Sequence, residues 1–324
     1  MTQAHTTQAF WITDQEQTGY KDVTLEMQPG SLEVRTLFTG ISRGTERLVF
    51  RGQVPVEQHD TMRAPFQEGS FTFPVKYGYS AVGQVETQGR AGEIVFALFP
   101  HQSRFCVPDS AVIPVPADVP PGRAVLAANM ETALNITWDA QINIGDRVVV
   151  VGSGVVGALV GYLAAKVAGT EVIMTDIDPA KRALAEVLGC DFALPNATAK
   201  DADVVIHASA SAAGLETAIS VAGMETTIVE ASWYGTHNVE VPLGGRFHQR
   251  RLQLVSSQVG RIPARQAARW TYQRRLTKAL SLLADPCLDV LISGETAFEA
   301  LAFEYRDILL SPSTLCHRVT YGDG

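Results

Sequence analysis

RVVVVGSGVVG, residues 147–157, joins a run of β-branched side chains to three glycines in the spacing GxGxxG. The valines predict a buried parallel strand, and residues 155–168 predict a helix that stops at Gly169. The 18 residues from Val148 to Ala165 carry no charge, which is long enough to imitate a membrane span. Because four glycines interrupt this segment, a buried strand that leads into a buried helix explains it better.

Strands and helices alternate on either side of this segment. Glu171–Thr175, Asp203–Ala208 and Thr226–Ala231 predict further strands with helices between them, an order typical of a parallel, doubly wound sheet. Residues 1–121 instead show short apolar stretches between turns, which predicts a β-rich architecture. We therefore predict an α/β protein in which a sheet domain at 122–286 follows a β-rich domain, and the end, 287–324, returns to the latter.

Composition excludes several classes of protein. The chain has 324 residues, 46% of them hydrophobic, and a net charge of −8, which argues against a disordered chain and against a general nucleic-acid surface. Its four cysteines lie far apart in sequence, so no CxxC metal or redox pair is possible. No secretory signal is visible, and we expect a cytoplasmic protein without membrane partners. Residues 264–283 predict one long amphipathic helix.

The glycine motif predicts a dinucleotide site. Gly152 permits the tight turn, Gly154 lets the backbone approach a pyrophosphate, and Gly157 lets helix and strand pack closely. Ser153, Val155 and Val156 complete the loop, whose helix N-terminus offers free N–H groups to phosphates. Asp176 follows the next strand, where a carboxylate accepts from a ribose and repels a 2′-phosphate. We therefore expect NAD rather than NADP.

Short motifs along nearly the whole chain resemble the medium-chain dehydrogenase/reductase superfamily. They are Gly40–Glu46 (GISRGTE), Gly78–Gly83 (GYSAVG), Glu131, the glycine loop and Asp203–Ala208 (DVVIHA). The resemblance implies a chaperonin-10-like catalytic domain followed by a Rossmann domain, a small-molecule substrate and a homodimer. The Ser-containing first motif and the Tyr of the second resemble the branch that includes bacteriochlorophyllide hydroxyethyl dehydrogenase.

Departures from the superfamily pattern concern its zinc site. Ser42 stands where zinc members carry Cys, and Tyr79-Ser80 stands where they carry His-Glu. Glu131 matches a zinc-site carboxylate of polyol dehydrogenases, but a carboxylate, a hydroxyl and a phenol make a poor zinc site. The four-Cys structural lobe is absent as well, and residues 51–73 form an insertion. We therefore expect no zinc.

Without zinc, another group must manage the proton of an alcohol. Tyr79 is the first candidate, on the expectation that a cofactor cation lowers its pKa; the alternative is a core tyrosine. Ser42 and Thr45 are candidates for a hydrogen-bonded relay that carries protons to solvent, or for turn capping by their hydroxyls. Glu131 is a candidate general base, or a residue favoured at a helix start by the dipole.

Further residues are candidates for contact with the cofactor. Arg43 could contact the pyrophosphate or form a surface ion pair with Glu46 or Glu26. The others follow the predicted strands or belong to a basic stretch: His207, Ser209, Trp233 and Arg250. His101 is interpreted as a solvated loop histidine rather than a proton shuttle.

Three functions remain open from the sequence. The leading one is a zinc-independent, NAD-preferring oxidoreductase that interconverts an alcohol and a carbonyl; reduction of a conjugated double bond with NADPH is its variant. The second is a nucleotide-binding redox sensor or partner subunit without turnover. The third, a dehydrogenase of a planar chlorin or pterin, depends on the family analogy and on the Trp233-Tyr234 pair.

Overall fold

The computed structural model describes residues 6–322 of the chain. The chain divides into two compact units, of which the first runs to Ala128 and resumes at Leu276 and the second is Asn129–Arg275. The predicted divisions lay after residues 121 and 286.

The first unit is built mainly from strands. Its elements before the second unit are, in order, β1 (Thr6–Asp14), β2 (Gln17–Thr24), β3 (Ser31–Ser42), α1 (Arg43–Phe50), β4 (Glu68–Gly69), β5 (Val75–Lys76), β6 (Ala81–Val85), β7 (Ile94–Ala97), β8 (Arg104–Pro108), β9 (Val112–Pro114), α2 (Pro121–Ala124) and α3 (Ala127–Ala140), whose last residues belong to the second unit.

The remaining elements continue in chain order through the second unit and back to the first. They are β10 (Arg147–Val151), α4 (Val155–Ala165), β11 (Glu171–Thr175), α5 (Lys181–Val187), β12 (Asp191–Ala193), β13 (Ala202–His207), α6 (Ala212–Val221), β14 (Ala222–Glu230), β15 (Gln253–Ser256), α7 (Ala264–Ala267), α8 (Tyr272–Ser281), β16 (Ile292–Ala297), α9 (Leu301–Leu310) and β17 (Cys316–Thr320).

Two sheets organise the first unit. One has the order β2-β1-β5-β4, and the other β16-β17-β3-β6-β7-β9 with β8 also paired to β3. The long β3 alternates partly buried and buried residues over its first half, as expected of a strand with one face in the core. β17 pairs antiparallel with β3, so that Cys316 lies opposite Ser42. The end of the chain thereby joins the sheet that carries the first motif.

The second unit is a parallel, doubly wound sheet. Its strand order is β12-β11-β10-β13-β14-β15. The first strand of the unit, β10, lies in the middle, and the order in which successive strands are added reverses beside it. All pairings are parallel, and residues such as Val149, Val205, Leu215 and Ile228 form a core between the sheet and α6. The predicted fold class is confirmed. Ligands of such sheets bind outside the carboxyl ends of the strands at the reversal.

The charge-free stretch that imitates a membrane span divides into β10 and the buried helix α4. Among residues 6–322, every helix is too short or too polar to cross a bilayer.

The long helix predicted at 264–283 is wrong, because the chain forms α7 and α8 with a break between them. Trp270 in the break packs against Trp138, with ring centroids 4.8 Å apart. Thr271 then starts α8, since its Oγ1 accepts a hydrogen bond from Arg274 N at 3.1 Å. The apolar periodicity is present, but the contact of Trp270 with Trp138 and the cap at Thr271 outweigh helix continuity.

Replacing Thr271 with Ala should lower the free energy of unfolding by about 1 kcal/mol, because the first turn of α8 loses its side-chain cap. Thr271→Asp keeps an acceptor at the same place and serves as the control. Urea unfolding followed by tryptophan fluorescence measures both variants. An unchanged midpoint for Thr271→Ala would show that the cap does not stabilise the helix.

Candidate functional site

The glycine loop between β10 and α4 is shaped for a ligand that approaches the backbone. Gly152 has φ +103°, and a Cβ at Gly157 would lie 1.9 Å from the Gly152 carbonyl oxygen. At Gly154, by contrast, a Cβ would meet no atom within 4 Å, so this backbone faces open space. Ser153 is fully buried, and its Oγ has no hydrogen-bond partner among the described residues. These features fit a bound dinucleotide.

The Asp176 side chain is hydrogen-bonded to the same loop. Its Oδ2 accepts from the backbone N–H of Ser153 at 2.7 Å, and its Oδ1 accepts from Asp178 N at 3.0 Å. Asp176 lies just beyond the carboxyl end of β11, next to the strand that carries the glycines. An aspartate at this position suits ribose hydroxyls and disfavours a 2′-phosphate.

A hydrogen-bonded network of side chains lies at the carboxyl ends of β13 and β14. His207 is fully buried, with Nδ1 at 2.7 Å from Glu230 Oε2 and Nε2 at 2.6 Å from Ser209 Oγ. Since a carboxylate only accepts, Nδ1 carries the proton and Nε2 accepts from Ser209 when the ring is neutral. Burial pushes the pKa of Glu230 upward, but His207 and Ser232 outweigh it and lower that pKa. Sequence reasoning singled out His207 and Ser209 but missed Glu230.

The Ser209 end of this hydrogen-bonded network lies against the glycine loop. A Cβ at Gly152 would be 2.7 Å from Ser209 N, and Ala208 N donates to the Val151 carbonyl at 2.8 Å. Trp233 is half-buried just beyond the carboxyl end of β14, at the same edge of the sheet. The structure therefore brings His207, Ser209 and Trp233 to the edge where the loop lies.

Arg250, predicted to contact the cofactor, lies at the opposite edge. Its Nη1 donates to Asp201 Oδ1 at 2.7 Å, and Asp201 directly precedes β13. This is the amino end of the strand, whereas the glycine loop follows carboxyl ends. That prediction is corrected: the charge pairs locally instead of reaching phosphates. The neighbouring Arg251 likewise pairs with Glu225 at 2.7 Å.

Glu131 is held by an arginine. Its Oε1 accepts from Arg275 Nε at 3.0 Å, and both side chains are buried. Arg275 also donates to Asn135 Oδ1 at 2.5 Å and to the Val259 carbonyl at 2.6 Å. Burial raises the pKa of Glu131, against the opposing charge and hydrogen bond of Arg275. The free carboxylate expected of a general base is replaced by a buried ion pair, because a residue 144 positions away supplies the cation.

In the first unit, the Tyr79 phenol hydrogen-bonds with the side chains of Ser42 and Thr45. Burial and the Glu46 carboxylate raise the pKa of Tyr79 to about 12, while the two hydroxyls act to lower it. The sequence predicted a lowered pKa. Within the protein, burial and Glu46 outweigh the two hydroxyls and raise that pKa, so the phenol is a proton donor across neutral pH. The predicted grouping of Tyr79 with Ser42 and Thr45 is present.

A buried carboxylate, that of Glu46, is hydrogen-bonded to the backbone of Ser42 in this group. Glu46 is fully buried; Oε1 accepts from Ser42 N at 2.7 Å, and Oε2 accepts from the Tyr305 hydroxyl at 2.7 Å. His101 Nε2 lies 3.1 Å from Glu46 Oε2, and its Nδ1 lies 2.7 Å from Thr39 Oγ1. The interpretation of His101 as a solvated loop residue is wrong, since the side chain is 1% exposed.

Arg43 points elsewhere than to Glu46 or Glu26. Its Nε donates to the Leu309 carbonyl at 3.1 Å, at the end of α9. Burial lowers the pKa of Arg43, and the nearby Arg47 lowers it further.

The residues at the expected zinc-ligand positions do not fit zinc, either in the first unit or, for Glu131, in the second. Ser42 and Tyr79 are engaged with each other, and the Ser80 hydroxyl donates to the Val125 carbonyl. Glu131 is neutralised by Arg275. Across residues 6–322, no three His, Cys, Asp or Glu side chains are grouped as metal ligands. Hydroxyl and phenol oxygens are weak zinc ligands.

Comparison with known proteins gives fold neighbours along the whole chain. L-Idonate 5-dehydrogenase from Escherichia coli superposes with a TM-score of 0.79 at 16% identity, covering 98% of both chains. A putative zinc-binding dehydrogenase from Sinorhizobium meliloti, bound to NADP, has a TM-score of 0.75 at 18% identity and covers 98% of this chain and 99% of its own. The chain therefore has the fold of these dehydrogenases. The resemblance noted in the sequence is thereby confirmed.

Curated relatives match over shorter segments of this chain. L-Threonine 3-dehydrogenase of Rhizobium rhizogenes is 31% identical over 100 residues, 31% of this chain and 29% of the relative. Sorbitol dehydrogenase of Ovis aries is 28% identical over 150 residues, 44% and 38% of the two chains. The chain thus aligns with less than a third of the length of the threonine dehydrogenase. No family model matches.

Replacing Arg275 with Met should lower the free energy of unfolding at pH 7 by about 3–5 kcal/mol, because Glu131 stays buried without a cation. Arg275 is what opposes the burial that raises the pKa of Glu131, so that pKa rises further in the variant. The protonated carboxyl costs less to bury. Stability relative to the parent is therefore better at low pH and is lost as pH rises through the folded-state pKa.

Urea unfolding of parent and variant at about pH 5 and pH 7 measures this difference. Arg265→Met removes an exposed arginine and should change the free energy of unfolding by less than about 0.5 kcal/mol. An equal loss for Arg275→Met at both pH values would contradict the ion-pair explanation.

Proposed function

We propose that this protein is an oxidoreductase that interconverts an alcohol and a carbonyl with NAD, without zinc. The observation that carries the proposal is the glycine loop, in which Gly154 faces open space beside the Asp176 carboxylate and the buried Ser153 hydroxyl, which has no partner in the part of the chain that the structure describes. When bound, the dinucleotide would exchange a hydride with the carbon of the alcohol or carbonyl. The similarity to sorbitol dehydrogenase and L-idonate 5-dehydrogenase agrees with this chemistry.

In the proposed reduction, the Tyr79 hydroxyl donates a proton to the carbonyl oxygen. Because the pKa of Tyr79 is raised to about 12, the phenol remains protonated at neutral pH and suits the role of acid. Ser42 and Thr45 hydrogen-bond with it, and their hydroxyls relay a proton from solvent to the Tyr79 phenolate after each turnover. In oxidation of the alcohol the steps reverse: the phenolate takes the proton of the alcohol, and the two hydroxyls relay it to solvent.

Asp176 gives the proposal its cofactor preference. NADH should bind at least about tenfold more tightly than NADPH, because the ionised carboxylate repels the 2′-phosphate. Asp176→Asn should reduce this ratio while keeping an acceptor for Ser153 N. Asp178→Asn is the matched control, since Asp178 Oδ1 accepts from Ala180 N and does not contact the loop. Fluorescence titrations in the presence of a chelator measure both ratios, and binding that requires added zinc would contradict zinc independence.

Replacing Tyr79 with Phe should lower kcat by about 10²–10⁴ and leave the affinity for NADH unchanged. A panel of polyols, secondary alcohols and their carbonyls supplies the assay. The control is Tyr77→Phe, a buried neighbour whose ring lies 6.0 Å from that of Tyr79. Full activity of Tyr79→Phe would exclude the phenol as the acid. Tight NADH binding without turnover of any compound would instead favour a redox sensor.

A further inference from the structure

The first unit contains a pocket. It has a volume of about 260 Å³, and its apolar wall includes Val23, Leu25, Phe66 and Phe99. Phe66 comes from the insertion at residues 51–73, so this wall depends on the segment in which the chain departs from the family motifs. The volume is below the range of pockets for drug-sized ligands, which limits an occupant to a small molecule.

A buried lysine is the first polar group in this pocket. Lys76 is 1% exposed; its Nζ donates to Gln102 Oε1 at 2.8 Å and to the carboxylate of Glu68. Burial lowers the pKa of Lys76, and Glu68 opposes that effect. An ammonium has three N–H bonds. Within residues 6–322, two of these have oxygen acceptors, and Nζ also lies 5.3 Å from the centroid of the Phe99 ring.

A buried amide is the second polar group. Gln67 is 6% exposed, and its Oε1 accepts from Ala64 N at 3.1 Å. That bond identifies which end of the amide is oxygen, and the opposite end, Nε2, is buried with no partner among the described residues. A buried donor without an acceptor costs stability, so it points to a ligand that supplies one.

The two donors and the apolar wall specify the chemistry of the occupant. Lys76 and Gln67 both offer N–H groups, and Phe66 and Phe99 offer aromatic surface. Glu68 already places a carboxylate on Lys76, but its side chain is 52% exposed and can turn into solvent. Glu26 at the lining adds a negative charge that disfavours a second acidic group on the ligand.

We propose that this pocket binds a small monocarboxylic acid with an apolar body. Its carboxylate replaces that of Glu68 on Lys76 and accepts from Gln67 Nε2, while the body contacts the apolar wall. None of these residues belongs to the proposed reaction site, so the two proposals can fail independently.

Calorimetric titration of the full chain at about pH 6.5 with phenylacetate and with 3-methylbutanoate tests the proposal. Phenylacetamide, which has the same body without the charge, is the ligand control. We expect saturable binding of an acid and at least tenfold weaker binding of the amide. Lys76→Met should weaken acid binding at least tenfold. Glu68→Gln should strengthen it several-fold, because the competing carboxylate is gone.

Gln67→Glu covers the case in which Lys76→Met fails to fold. It keeps the acceptor for Ala64 N but replaces the free donor with a carboxylate, and should weaken acid binding at least tenfold. Cys106 also lines the pocket, whereas Cys287, of similar exposure, does not. A bound acid should slow the alkylation of Cys106 and leave the alkylation rate of Cys287 unchanged. No binding of either acid, or equal affinities in Glu68→Gln and Gln67→Glu, would overturn the proposal.

Discussion

The close approach of Gly157 to the Gly152 carbonyl determines how the second unit is assembled. A Cβ at Gly157 would stand 1.9 Å from that oxygen, so only glycine lets α4 begin so close to the end of β10. The helix start is thereby fixed against the middle of the sheet. The same close approach leaves the backbone at Gly154 in the open and Ser153 buried without a partner among the described residues. The constraint that permits packing therefore also produces the surface that a dinucleotide would use.

Each unit contains a buried carboxylate whose partners are protein groups. Glu46 in the first unit is balanced by hydrogen bonds from Ser42 N and Tyr305 and by His101. Glu131 in the second unit is balanced by Arg275. In each case a carboxylate that is buried needs donors or a cation, because burial without them is costly. The fold meets this need with protein side chains.

Much of the fold could be predicted because it depends on local patterns. The valine run, the glycine spacing and Asp176 lie within 30 residues of one another, and they follow from strand, turn and helix chemistry. The break before Tyr272 could not be predicted in the same way. It depends on the contact of Trp270 with Trp138, which no periodicity within 264–283 reveals.

The sequence by itself determined the alternation of strands and helices around the glycine loop, and the loop itself. Only the tertiary structure decided which charges meet. Glu131 forms an ion pair with Arg275, 144 positions away in sequence. His101 hydrogen-bonds with Glu46. Arg250 pairs with Asp201 at the edge of the sheet opposite the glycine loop. Periodicity reports which face of an element is buried. The partner of a buried charge depends on where distant segments are brought together, and on the cost of leaving that charge alone.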